Sequence, residues 1–188
     1  EEKIILTEKS KNYYMKKIGH LIKLEHKVSK ISTSKDYVLV NDQKYDFIID
    51  ATWGHLGNSK LRKIFEPTLL INYKLKKKGK HAALTLVDGP LCSLYPTERN
   101  DIFTLSSVPF TPLGKYKSKY LAYKKIKSFN SENLKTKKLL MEQQIKKYFP
   151  HFLDIFEFES PQLSMKTKLT GQSDDRSCYI EINIRIIS

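Results

Sequence analysis

Between residues 45 and 54 the chain reads Tyr-Asp-Phe-Ile-Ile-Asp-Ala-Thr-Trp-Gly. The apolar centre, Phe47-Ile48-Ile49, is too short and too β-branched for a helix. It reads as a strand buried on both faces, of the kind found inside a parallel sheet. Asp50 ends the run, Ala51 and Thr52 bring small side chains to its carboxyl end, and Gly54 lets the backbone turn there. In open α/β sheets ligands bind just outside the carboxyl ends of strands. A run of this kind therefore predicts a sheet-end ligand site.

Two further stretches accompany it in order: Leu84-Thr85-Leu86-Val87-Asp88-Gly89-Pro90-Leu91-Cys92-Ser93-Leu94-Tyr95-Pro96 and Ser173-Asp174-Asp175-Arg176. With the strand-Ala-Thr-x-Gly segment they resemble FAD-dependent oxidoreductases of the amine and amino-acid oxidase type, the D-amino-acid oxidase-like group. The resemblance implies an α/β fold with an α+β substrate part. Part of an FAD-binding Rossmann-like domain would be joined to a mostly antiparallel-sheet substrate domain with flanking helices. It divides the chain into a distal part of the FAD domain (1–57), a substrate domain (58–170) and a strand returning to the first domain (171–188).

The same resemblance implies FAD as cofactor, with Ala51, Thr52, Trp53 and Gly54 beside it and Val28 holding adenine through its main-chain amide and carbonyl. Cys92, Ser93 and Tyr95 would face a cavity for a small polar substrate, with Ser93 and Tyr95 binding it. Arg176 is the arginine that would pair with a substrate carboxylate. Amino-acid oxidases commonly carry Arg-Pro earlier in that strand, where this chain has Met165-Lys166-Thr167-Lys168. Lys166 and Lys168 are the alternative source of positive charge. The family's Gly-x-Gly-x-x-Gly turn is missing among the seven glycines. The expectation is an internal fragment that is inactive alone and does not by itself retain FAD, because the pyrophosphate-binding helix start is absent.

The net charge is +14, yet only Arg62, Arg99, Arg176 and Arg185 among the 34 basic residues are arginine. Nucleic-acid sites exploit arginine's planar fork, so lysine dominance argues against such a partner. The opposing reading is a basic α+β module for RNA or an acidic partner, resting on that charge and on Tyr116, Tyr120 and Tyr123 interleaved with lysines. Their spacing equally suits one helix face packed on a sheet. A third reading is a non-catalytic structural domain.

No apolar run reaches the ~20 residues of a membrane span. Cys92 and Cys178 form no disulfide framework or Cys-x-x-Cys pair, which points to the reducing cytoplasm. The histidines lack metal-ligand spacing, so no metal is expected.

In chain order, a helix is predicted from Ser10 to Ile22, strands over Leu24–Ile31 and Tyr37–Val40, and a tight turn at Asn41-Asp42. A short helix over Lys60–Phe65 should stop at Pro67. Strands follow at Leu69–Leu75, Ala82–Val87, Leu91–Tyr95 and Asp101–Val108. A long helix runs from Glu132 to about Phe149, with Leu134, Met141, Ile145 and Tyr148 on its buried face. Ser160-Pro161 reads as a turn before a strand over Gln162–Leu169. The last strand is Tyr179–Ile186.

Overall fold

The computed structural model describes residues 5–52, 63–77, 79, 82–86 and 91–169. The chain forms two compact units, one built from residues 1–17 and 64–168, the other from 18–63 and 169–188. Helices and antiparallel strands are mixed in the α+β manner.

The larger unit is a five-stranded sheet backed by helices. Its strands are β4 (Lys63–Leu75), β5 (Leu84–Thr85), β6 (Cys92–Pro96), β7 (Ile102–Ser107) and β8 (Phe156–Leu169), in the spatial order β5-β6-β7-β4-β8. Strand β4 pairs antiparallel with β7 through Ile71↔Leu105 and Tyr73↔Phe103, and β6 pairs antiparallel with β7 through Leu94↔Leu105. Alternation along each strand sends Leu69, Ile71, Tyr73, Leu75, Cys92, Leu94, Phe103 and Leu105 into one core.

Helices α2 (Lys119–Lys127), α3 (Ser131–Lys146) and α4 (Phe152–Ile155) complete this unit. Asn130 caps α3 by accepting from the Asn133 N–H at 2.9 Å. Met141 and Ile145, one turn apart, carry the helix into the core, where Phe152 stacks on Phe156 at 5.2 Å between centroids. Helix α1 (Thr7–Ile18) buries none of its side chains, and its Glu8 N–H donates to Glu98 Oε1 at 2.7 Å.

Several expectations change here. Residues 63–65 are strand and not helix, and β4 runs through Pro67. The proline is tolerated because only its carbonyl is used, accepting from the Leu113 N–H, while Phe65 and Leu69 on either side donate to Tyr116 and Thr111. Ser160-Pro161 lies inside β8, which is the outermost strand of this sheet among the described residues, where a missing donor costs no ladder bond on the open side. The three tyrosines do not form a packed face. Tyr116 precedes α2, Tyr120 and Tyr123 are exposed, and Ala122 is the buried residue of that helix. Helix α3 ends at Lys146, leaving Tyr148 exposed.

The smaller unit holds a three-stranded antiparallel sheet, β1 (Ile31–Thr33), β2 (Val38–Val40) and β3 (Gln43–Tyr45). Asn41 and Asp42 take φ of 48° and 67°, the mirror-image turn that suits a two-residue hairpin. Of the predicted strand over Leu24–Ile31 only Ile31 is strand, as the first residue of β1; residues 26–30 are irregular, and residues 24 and 25 form a turn with Glu25 at φ 58°. Phe47-Ile48-Ile49 is not a buried parallel strand. The three residues are irregular, and Phe47 and Ile49 are 77% and 83% exposed. A doubly buried strand needs neighbours on both sides, and no described strand pairs with this run.

Candidate functional site

The alternation that fills the core leaves a polar face on the other side of the large sheet. Ser93 lies opposite Thr85 and Ser106, and Tyr95 lies opposite Thr104. Thr104 Oγ1 donates to Asn72 Oδ1 at 2.9 Å, and Asn72 Nδ2 donates to Ser160 Oγ at 3.3 Å. The Tyr95 and Thr85 hydroxyls share a short hydrogen bond. Hydroxyls and one carboxamide thus cross five strands in a row that is half-buried except at the exposed Thr85. Such a row offers donors and acceptors to a small polar molecule from a rigid backing.

At one end of this face Glu66, 2% exposed, pairs with Lys168 Nζ at 2.9 Å, and Thr68 Oγ1 meets Ser164 Oγ at 2.7 Å. The Glu66 carboxylate occupies the charge that Lys168 carries, and Lys166 is exposed. Ser93 and Tyr95 share the polar face. Cys92 does not join them: it points into the core, 1% exposed, because adjacent strand residues face opposite ways. Burial pushes its thiol pKa up, which suits an inert core thiol.

The smaller unit contains a second arrangement. Asn41 Oδ1 accepts from Ser29 N–H at 2.9 Å, Lys30 N–H at 3.2 Å and Ser29 Oγ at 3.2 Å, and Asn41 Nδ2 donates to the Lys27 carbonyl at 2.7 Å. One side chain thereby fixes the residues flanking Val28. The N–H and C=O of half-buried Val28 themselves meet no hydrogen-bond partner among the described residues. An adjacent main-chain donor and acceptor match the edge of a purine base.

At the sheet-end motif, Ala51 is exposed, and the Thr52 N–H and hydroxyl both donate to Asp50 Oδ1, at 2.9 and 2.5 Å. A carboxylate therefore holds the donors that a phosphate would use. Trp53, Gly54 and Arg176 lie outside the described residues. Among the described residues no three His, Cys, Asp or Glu side chains gather as a metal site, and no helix is long and apolar enough to cross a membrane.

Sequence reasoning missed Asn41, Asn72, Thr104 and the Glu66–Lys168 pair. Asn41 carried a signal, since its turn position was legible; the others depend on strand register across 30 to 100 residues.

No protein family matches this sequence by its profile, and no solved structure matches it. Over 187 residues, 100% of the chain, it is 42% identical to the FAD-dependent monooxygenase FPY4 of Fusarium mangiferae. The chain spans about half, 50%, of that relative's length.

Proposed function

We propose that this chain is part of an FAD-dependent oxidoreductase acting on a small polar substrate. The observation that carries this reading is the bare main-chain donor and acceptor of Val28, held in place by Asn41. The likeness to a monooxygenase supports it and favours oxygen insertion over simple dehydrogenation. The three ordered motifs, the second of which holds Ser93 and Tyr95 of the polar face, support the D-amino-acid oxidase-like affiliation.

The described residues fit the cofactor in part. Val28 suits adenine, which needs one donor and one acceptor on its edge. Thr52 suits the pyrophosphate only if its donors leave Asp50, so we assign no phosphate contact to it. When bound, FAD would supply electron transfer between substrate, reductant and oxygen. Ser93, Tyr95, Thr104 and Asn72 would orient the substrate's polar groups, and the packed core behind the sheet keeps water from that side. Arg176 remains the proposed partner for a substrate carboxylate. Residues 18–57 and 171–188 would belong to a Rossmann-like cofactor domain and 58–170 to the substrate domain of a cytoplasmic enzyme; residues 1–17, expected in the cofactor domain, group with the larger unit instead.

The test is the reading frame preceding Glu1 and its product. That frame is expected to encode a strand followed by Gly-x-Gly-x-x-Gly, and the whole product to bind FAD stoichiometrically and consume oxygen with its substrate. A product without flavin would overturn the proposal.

A further inference from the structure

Helices α2 and α3 and the loop before them line a half-open cavity of about 150 Å³. Leu113 and Phe129 form its apolar wall, Asn133 and Thr136 its polar one, and Lys125 and Lys137 its charged one. No acidic side chain lines it. Lys137 Nζ donates to the Pro112 carbonyl at 3.4 Å, and neither lysine forms an ion pair among the described residues. The contrast with the next residue is sharp: Lys138 pairs with Glu142 at 3.0 Å.

Burial, and then the neighbouring charge of Lys125, push the Lys137 pKa down. Two half-buried cations that repel one another without a counter-charge are destabilising unless something else supplies the anion. The cavity belongs to the helical layer, whereas Ser93, Tyr95 and Asn72 face the opposite side of the sheet. It therefore belongs to neither candidate site above and stands independently of the flavin reading.

We propose that this cavity is a binding site for a small carboxylate with an apolar body. The carboxylate sits between Lys125 and Lys137 and relieves their repulsion. Its apolar body lies against Phe129 and Leu113, and Asn133 and Thr136 offer hydrogen bonds at the rim. A cavity of about 150 Å³ accepts a body the size of a benzene ring, so benzoate matches in size and charge. A bare inorganic anion leaves Phe129 and Leu113 wet. A neutral ring leaves the lysines uncompensated.

The experiment is titration of the full chain with benzoate, followed by amide chemical shifts. The expected result is saturable change centred on Phe129, Asn133 and Lys137. Charge-assisted bonds are strong enough that Lys125→Met and Lys137→Met should each weaken binding about tenfold. Lys124→Met, on the exposed side of α2, should leave affinity unchanged. Asn133→Asp provides a second variant, because an acidic residue in the first turn favours helix α3 while its carboxylate takes the lysines from the ligand. Circular dichroism checks that each variant folds. Benzyl alcohol and inorganic phosphate should each bind about tenfold more weakly than benzoate, since each lacks one of the two matched contacts. The proposal is overturned by any of three results: shifts that are absent or scattered over exposed lysines, an equal loss from Lys124→Met, or equal binding of either comparison ligand.

Discussion

Asn41 and Lys30 hold each other twice: the Asn41 N–H donates to the Lys30 carbonyl at 3.0 Å, and the Lys30 N–H donates to Asn41 Oδ1 at 3.2 Å. The side chain then continues to Ser29 and Lys27, bracketing Val28. Asparagine suits the position on two counts, since it tolerates a φ of 48° and its short side chain reaches local main chain. Asn41→Gly keeps the turn and removes the bracket, whereas Asn41→Ala loses both. Asn41→Gly is expected to cost about 0.5–1.5 kcal/mol, the net worth of a hydrogen bond whose freed, exposed groups turn to water, and Asn41→Ala more. Urea unfolding measures the loss. Hydrogen exchange should quicken first at Ser29 and Lys30.

The buried phenol of Tyr73 donates to Glu142 Oε1 at 2.8 Å, and Lys138 balances that carboxylate at 3.0 Å. Burial, then the bond to Glu142 and its charge, raise the Tyr73 pKa far above the usual phenol range. Glu142→Leu strands the hydroxyl in the core and is expected to cost about 1–3 kcal/mol. Tyr73→Phe leaves Glu142 paired with Lys138 and should cost less. The double variant should recover part of the Glu142→Leu loss, because removing both partners of a buried bond is nearly neutral. A thermodynamic cycle on the four proteins checks this.

Thr167 Oγ1 is buried on β8 with no hydrogen-bond partner among the described residues. Thr167→Val removes the unpaired oxygen and keeps the branched shape that strands favour. Stability is expected to rise by up to about 1 kcal/mol, within the penalty range for an unsatisfied polar group. Thermal unfolding of the variant measures it.

Lys137 has a folded-state pKa below its ordinary value, so the unfolded chain binds more protons between the two values. Stability should therefore rise as pH climbs from the lowered folded pKa towards the free lysine value of about 10.4. Lys137→Met should remove this local contribution. Denaturant midpoints for both proteins, measured from pH 7 to 10, test the difference in slope.

The sheet strands of the larger unit were legible because β6 and β7 alternate cleanly and are separated by turn residues. The start of α3 was legible to within one residue, expected at Glu132 and found at Ser131. The Asn41-Asp42 turn was legible from residue chemistry alone. Pro67 and Pro161 misled, because proline's local effect depends on whether its missing donor faces a ladder, which register decides. Phe47–Ile49 misled for a different reason. Its composition suits a buried strand, but burial requires partners that the described residues do not provide. Ser93 and Tyr95 were named from the resemblance, together with Cys92, which strand alternation turns into the core, whereas Asn72 and Thr104 join them only through pairing across the sheet.

In the proposed function Val28 holds adenine through its main-chain N–H and C=O. The decisive measurement is an amide-resolved titration of the chain with AMP, FAD and FMN. AMP and FAD are expected to give saturable shifts at Val28, Ser29 and Lys30, weak enough to need millimolar ligand, while FMN, which lacks adenine, leaves those amides unmoved. No response to AMP at millimolar concentration, or an equal response to FMN, would contradict the assignment.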